Sequence, residues 1–346
     1  MFPLEFAFDI VSEYSEAGEI VLDPFAGRGS SIYAAANQGR YGVGFEINPV
    51  GWIYSQAKLA PAKKRFVIKR LQDINEIAND YRSNDLPPFF RACFSPTVLS
   101  FLLAARENLN WKRNKSDRTL MALLLIYLHG KYGQTLSNQM NHTKSMWPEY
   151  SIRWWNEKNL KPPKINCYEF LLQRIEWRYQ KGLPSISDSK VYLGDSTKIL
   201  GKSYNNFSST LPAGKVSLLF TSPPYKGVTN YHKDQWLRLW LLGGSSSPTG
   251  ESKKHKGRFD SEKGYKELLL SVFSKVAPLM AKEFTVYVRT STRKITYETT
   301  LCVLEECFPK ARQESKESPF QKKTQTTLIG NKSSAPSEVD IIITNR

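Results

Sequence analysis

The chain begins with a change of hydrophobic period. The run EIVLDPF at 19–25 is continuously apolar up to an acid and a proline, and AGRGS and then SIYAAANQG follow it. That order predicts a strand, a glycine-bearing turn and a helix ending near Gly39. RYGVGFEINP reads as a second strand closing on Glu46, and GWIYSQAKLA starts another helix. A strand–helix–strand–helix opening predicts a parallel sheet with crossover helices, hence an α/β fold. Past Pro61 the strand signal fades as far as residue 189. SPTVLSFLLAARENLNW spaces its apolar residues for a helix behind Ser95 as N-cap and Pro96 at the first helical position. SDRTLMALLLIYLHGKYG and CYEFLLQRIEWRYQKG predict further helices closed by glycine, and SNQMNHTKSMWPEYSIRWWNEKNLKPPK reads as an irregular arm between them. Strands resume at KVYLGD (190–195), at KVSLLFTSPP from Lys215 and at EFTVYVRTST (283–292). TQTTLIGNK and SEVDIIITN are expected to form a closing pair. GGSSSPTGESKKHKGRFD is a Gly/Ser loop running into a basic cluster, expected on the surface. The predicted organisation is a catalytic α/β domain in two parts, 1–61 and 190–346, interrupted by a helical insertion at 62–189.

Composition narrows the partners. The 346 residues are 40% hydrophobic and 12% aromatic, which supports a real core. Lys and Arg number 49 against 32 Asp and Glu, a net charge of +17, and the pI is near 9.6. Such an excess points to a polyanion, a nucleic acid before an anionic membrane. The apolar stretch TLMALLLIYLHG is about twelve residues long and is too short to span a bilayer. The N-terminal MFPLEFAFDI lacks a basic region and carries Glu5 and Asp9, so it does not read as a signal peptide. Cys93, Cys167, Cys302 and Cys307 are scattered and form no CxxC pair, so a zinc site is not expected and a reducing, cytoplasmic setting is.

The chemistry gathers where strands end. Ligands of open parallel sheets bind outside the carboxyl ends of the strands. Asp23 stands there ahead of Gly27 and Gly29, and glycines let a ligand approach the backbone, although a lone GxG also serves a tight turn. An acid at Asp23 repels a phosphate and suits an ammonium. Glu46, ending the second strand, suits the two hydroxyls of a ribose. Asp195, ending the third, suits an adenine amine and also the N-cap of the next helix. A nucleoside with a cationic amino-acid tail, S-adenosylmethionine, fits this set better than a dinucleotide. The fourth strand runs into Ser222, Pro223, Pro224 and Tyr225. Prolines fix φ and lack an N–H, so they make a rigid turn with free carbonyl acceptors. The Ser222 oxygen and a proline carbonyl can accept from an exocyclic amine, and Tyr225 offers a ring for an extruded base. Two acceptors in a dry pocket stabilise positive charge developing on that nitrogen.

DPFAGRGS, GFEINP, the GD at 194–195 and TSPPY together resemble the S-adenosylmethionine-dependent amino-methyltransferases of DNA, the adenine-N6 and cytosine-N4 group. The resemblance covers 1–60 and 190–346. It implies a doubly wound, mostly parallel, seven-stranded Rossmann-like sheet with an antiparallel strand near the C-terminal end. Carried over by motif, Asp23, Phe25, Ala26, Gly27 and Gly29 would line the methionine end of the cofactor, Glu46 would hold the ribose and Asp195 the adenine. Phe2 and Pro3 are similar to the upstream cofactor-lining motif, and YHKDQWLRLWLLG to the helix after the catalytic loop. Ser222, Pro223, Pro224 and Tyr225 would form the catalytic pocket, and serine in its first position leans towards cytosine N4 over adenine N6. The implied partners are double-stranded DNA, reached by base flipping, and a cognate restriction or defence nuclease. Two features depart from the group: the cofactor motif precedes the catalytic one, and the third motif follows the insertion. Target recognition is therefore expected in the insertion, where Asn138, Gln139, Asn141, His142, Lys144, Arg153, Trp154 and Trp155 are base-edge, phosphate and stacking types. Lys253, Lys254, Lys256 and Arg258 are further phosphate candidates. An RNA N-methyltransferase and a non-catalytic nucleic-acid-binding subunit are the competing expectations.

Overall fold

The computed structural model describes residues 3–82, 85–210, 214–225, 231–248, 261–309, 311–318 and 338–345. Its strands are β1 (Ile20–Asp23), β2 (Tyr41–Glu46), β3 (Lys190–Leu193), β4 (Val216–Thr221), β5 (Met280–Ser291), β6 (Arg312–Ser318) and β7 (Glu338–Asn345). The helices are α1 (Leu4–Tyr14), α2 (Ser30–Asn37), α3 (Pro49–Leu59), α4 (Lys64–Ile77), α5 (Pro88–Cys93), α6 (Pro96–Asn108) and α7 (Lys115–Tyr127). After these come α8 (Pro148–Glu157), α9 (Cys167–Tyr179), α10 (Ser196–Ser208), α11 (Tyr231–Leu241), α12 (Glu262–Val276) and α13 (Lys294–Cys307).

The chain divides into two units. One comprises Met1–Ser55, Pro184–Thr229 and Lys253–Arg346; the other comprises Gln56–Leu183 and Asn230–Ser252. The first holds a 7-stranded sheet in the order β3-β2-β1-β4-β5-β7-β6. β1 pairs in parallel with β2 and β4, β2 with β3, and β4 with β5. β7 runs antiparallel to both β5 and β6, so it is the reversed strand the family resemblance implies. β1 and β4 are buried along their whole length, as parallel strands covered on both faces must be. The two-residue side-chain period sorts β1 between two cores. Ile20 and Leu22 pack with Leu200, Tyr204, Leu269, Phe273 and Val303 from α10, α12 and α13. Val21 packs on the other face with Ala7, Ile10 and Val11 of α1 and Ala34 and Ala35 of α2. Helices thus cover both faces, and the fold is a doubly wound, mostly parallel α/β sheet.

Chain order leaves β1 towards β2 on one side and runs from β4 to β5 on the other, so the topological switch lies between β1 and β4. Ligands of such sheets bind outside the carboxyl ends at that crevice. The edge of the sheet departs from expectation. β6 has the sequence RQESKES, with no apolar alternation to announce it; charged side chains are what keep an edge strand from pairing with other chains. TQTTLIGNK, expected to be half of the closing pair, lies outside the described residues.

The second unit is helical. Its interior packs aromatic rings in tilted pairs: Phe90 and Trp240 have centroids 4.5 Å apart, Phe89 and Trp236 5.0 Å, and Phe89 and Trp155 5.6 Å. The helix α11, which by resemblance follows the catalytic loop, belongs to this unit. The stretch expected to be irregular contains α8, started by Pro148 at its first turn and anchored by the buried Trp155. Among the described residues no helix is long and apolar enough to cross a membrane.

Candidate active site

Four strand ends of the first unit supply the site. The turn after β1 needs glycine twice. Gly27 has φ 54° and Gly29 φ 68°, left-handed values that other residues adopt at a cost. A Cβ at Gly29 would stand 2.7 Å from the Ser55 Oγ, and one at Gly51 would stand 2.6 Å from the Gly27 carbonyl. The start of α3 is thereby packed hard under the turn. Over Gly27 the reverse holds: among the described residues, the nearest heavy atom to a Cβ there is the Phe25 carbonyl oxygen at 4.0 Å. The Ala26 N–H donates to the Phe45 carbonyl at 2.9 Å, which ties the turn to β2.

Glu46 ends β2 beside this opening. Its Oε2 accepts from the Gly27 N–H at 2.7 Å and its Oε1 from the Asn48 N–H at 2.6 Å. Burial of the carboxyl, opposed by these two donors and reinforced by the charge of Asp23, pushes its pKa up to about 7. A carboxylate has about four lone-pair sites, so its backbone donors, Gly27, Asn48 and Ile47, leave acceptor capacity for a ligand hydroxyl. Asp195 caps α10: its Oδ1 accepts from the Thr197 N–H at 3.1 Å and the Thr197 hydroxyl at 2.7 Å. Gly194, just before it, donates to the Glu46 carbonyl at 2.9 Å and fixes the two acids at neighbouring strand ends.

Asp23 has a different place from the one its motif suggests. It is 2% exposed. Its Oδ1 accepts from the Thr221 hydroxyl at 2.6 Å and the Phe25 N–H at 3.0 Å, and its Oδ2 from the Ser31 hydroxyl. The carboxyl takes these donors from the turn itself, from α2 and from the end of β4. Burial raises its pKa in spite of them. What it joins is informative, because Thr221 is the last residue of β4 and precedes Ser222. One buried carboxyl therefore holds the glycine turn, the first turn of α2 and the entry to the turn after β4 together.

In that turn Pro223 is buried, and Ser222, Pro224 and Tyr225 are half-buried. The Ser222 hydroxyl donates to the Tyr225 hydroxyl at 3.3 Å, which donates in turn to Glu338 Oε1 at 3.4 Å. Glu338 is the contact that sequence reading misses, since it lies far along the chain at the start of a strand with no motif. Pro3 is the residue before α1, and Phe2 lies outside the described residues.

The residues nominated for nucleic acid scatter. Asn138 is fully buried; its side-chain N–H groups donate to the Ala92 and Leu160 carbonyls at 3.3 and 3.1 Å. Trp155 is buried and donates to the Gln139 carbonyl at 2.6 Å. The Asn141 side chain accepts from Thr143 and Lys144 within its own turn. Gln139, His142 and Arg153 are exposed, and Lys144 and Trp154 are half-buried. The Arg153 guanidinium lies 5.9 Å from the Tyr150 ring centroid. Lys253, Lys254, Lys256 and Arg258 lie outside the described residues.

Residues 1–51 match the DNA methylase family. Over 47 residues the chain is 43% identical to the Type II methyltransferase M.MthZI of Methanothermobacter thermautotrophicus, which is 14% of this chain and 13% of that protein. The match thus spans about an eighth of the relative's length. Among solved structures, the rRNA methyltransferase aviRa from Streptomyces viridochromogenes is 10% identical with a TM-score of 0.33, over 99% of this chain and 85% of that one. An rRNA methylase from Streptococcus thermophilus is 7% identical with a TM-score of 0.38, over 100% and 98%. Scores of this size carry no argument about the substrate.

Proposed function

We propose that this chain transfers a methyl group from S-adenosylmethionine to the exocyclic amine of a flipped DNA base, with cytosine N4 preferred over adenine N6. One observation carries the reading. The open glycine turn after β1 and the Ser222–Tyr225 turn after β4 leave adjacent paired strands at the switch point, and the Asp23–Thr221 hydrogen bond ties them. Neighbouring strands lie about 4.8 Å apart, so a group held over the first turn and a base held at the second would lie side by side.

The residues fit the cofactor. Among the described residues nothing but the Phe25 carbonyl comes within 4 Å of a Cβ at Gly27, Glu46 stands beside it, and Asp195 stands at the next strand end. When bound, the cofactor supplies an electrophilic methyl group on a sulfonium. The chain's own residues do the rest. Glu46 and the glycine backbone orient the nucleoside. The Ser222 oxygen and the Pro223 carbonyl accept from the amine and stabilise the charge that develops on its nitrogen. The Tyr225 ring supports the base, and Pro223 and Pro224 keep the acceptors from turning away. Serine at the head of the tetrapeptide supports cytosine. The net charge of +17 supports a polyanionic substrate. A cytoplasmic setting and a cognate restriction or defence nuclease complete the reading.

The test is methyl transfer from labelled cofactor to DNA and RNA, with digestion of the product and mass identification of the modified nucleoside. N4-methylcytosine in DNA is the expected result. N6-methyladenine in DNA would overturn the base preference, label in RNA alone would overturn the substrate, and no label in either would leave a binding subunit.

A further inference from the structure

A charged pair beside the catalytic turn has no part in the chemistry above. Glu338 opens β7, and Arg289 lies on the adjacent β5. The Arg289 Nη1 is 3.6 Å from Glu338 Oε2, while its Nε and Nη2 each hold one oxygen of Asp340 at 2.6 Å. The Phe6 ring closes over the guanidinium, with its centroid 3.6 Å from the central carbon. Arg289 and Asp340 are both buried. Glu338 therefore stands beside a cation that a carboxylate and a ring already immobilise.

A hydroxyl can donate or accept, and Ser222 serves an amine only when a lone pair, not its hydrogen, faces the pocket. An ionised carboxylate accepts only. A chain of hydroxyls ending on one can run in a single direction. Tyr225 gives its hydrogen to Glu338, which leaves the Tyr225 oxygen to take the hydrogen of Ser222 and turn it away from the base. Burial, with the charge of Glu338, raises the pKa of the Tyr225 phenol, so the phenol keeps the hydrogen this chain needs.

We infer that Glu338, anchored by Arg289, is a positioning and specificity residue: it sets the direction of the Ser222–Tyr225–Glu338 chain so that Ser222 receives an amine and rejects a carbonyl. This deepens the base-amine reading and rests on it. The amine-to-carbonyl swap exists as a matched pair for either base, deoxycytidine against deoxyuridine monophosphate and deoxyadenosine against deoxyinosine monophosphate. Binding of these nucleotides to the full chain, measured by ligand-observed NMR without cofactor, should favour the amine member of at least one pair by about tenfold. Glu338→Gln, whose amide can donate, should bring the ratio near one. Tyr225→Phe keeps the ring, cuts the chain and should do the same, so it decides the matter if the glutamine variant does not fold. Glu338→Asp should retain the preference. In turnover, Glu338→Gln should lower kcat and leave the cofactor KM unchanged. A wild-type ratio near one, or the wild-type ratio kept in both Glu338→Gln and Tyr225→Phe, would overturn the inference. Absence of methyl transfer by the wild type is a separate result: it removes the proposed function, and the nucleotide ratios still decide the role of Glu338.

Discussion

Asp23 in the sheet unit and Asn138 in the helical unit are both polar, both buried and both nominated by residue type as ligand contacts. Their surroundings separate them. Asp23 takes donors from Ser31, Thr221 and the Phe25 backbone, and these belong to the elements that frame the opening over Gly27. Asn138 donates to the Ala92 and Leu160 carbonyls and accepts from the Gln139 N–H at 3.0 Å, which closes a loop onto its own scaffold. The second pattern recurs at Arg238, a buried cation whose guanidinium reaches the Leu125 carbonyl at 2.9 Å and the His142 carbonyl at 3.1 Å. A buried polar group must be hydrogen-bonded wherever it sits. What distinguishes a functional one is which elements its partners belong to. At the sheet rim, the partners come from the turn after β1, from α2 and from the end of β4; in the helical unit, they are mostly backbone groups of the unit's own scaffold.

That contrast can be broken by mutation. The largest effect should come from Asn138→Ala, which removes three hydrogen bonds and strands two carbonyls, at a cost of about 2 kcal/mol in unfolding free energy. Urea denaturation measures it. If stability is unchanged and nucleic-acid affinity falls instead, Asn138 is a reading residue and the contrast fails.

Per pH unit a smaller effect, about 1.4 kcal/mol and opposite in sign for folding and for binding, is expected from pH. Burial raises the Glu46 pKa from 4.5 to about 7 in the folded chain. Below 4.5 the contribution of this group to stability is fully present, and it is lost as pH rises through about 7. Cofactor affinity should move the other way, because diol hydroxyls need the ionised carboxylate as acceptor. Calorimetric titration should show affinity rising by up to about tenfold per pH unit below 7 and levelling above it. Glu46→Gln should abolish the dependence. A flat wild-type profile would remove Glu46 from the cofactor site.

The smallest effect on stability belongs to Arg153→Ala. Arg153 is exposed and its ion pair with Glu157 spans 4.0 Å, so unfolding free energy should change by less than about 0.5 kcal/mol. If Arg153 contacts phosphate, the salt dependence of nucleic-acid binding should become shallower by about one counterion. A stability loss above 1 kcal/mol would place it with Asn138 and not on a working surface.

How legible these regions were follows from where each signal lives. The glycine turn could be read because a left-handed turn after a buried strand demands glycine locally, and Gly27 and Gly29 answer that demand. The turn after β4 could be read because two prolines after an apolar strand allow few conformations. Glu338 could not, because its contact with Tyr225 depends on how β7 registers against β5, and a single acid at a strand start carries no local mark. Nor could the joining role of Asp23, since its partner Thr221 is distant in sequence and only the pairing of β1 with β4 brings them together. In the helical unit, SNQMNH shows only polarity, and whether an asparagine faces water or a carbonyl is settled by packing that the string does not encode. β6 escaped because its charges, which protect an edge, hide the alternation by which strands are found.

The central claim is that the turn after β4 acts on the reacting nitrogen while the turn after β1 serves the cofactor. Single-turnover methyl transfer by Ser222→Ala, at cofactor concentrations that give the same occupancy as in the wild type, tests it most directly. The expected result is a chemical step slower by about 100-fold or more, with cofactor affinity within about twofold of the wild type. A Ser222→Ala chain that transfers as fast as the wild type, or one whose loss of rate is matched by its loss of cofactor affinity, would contradict it.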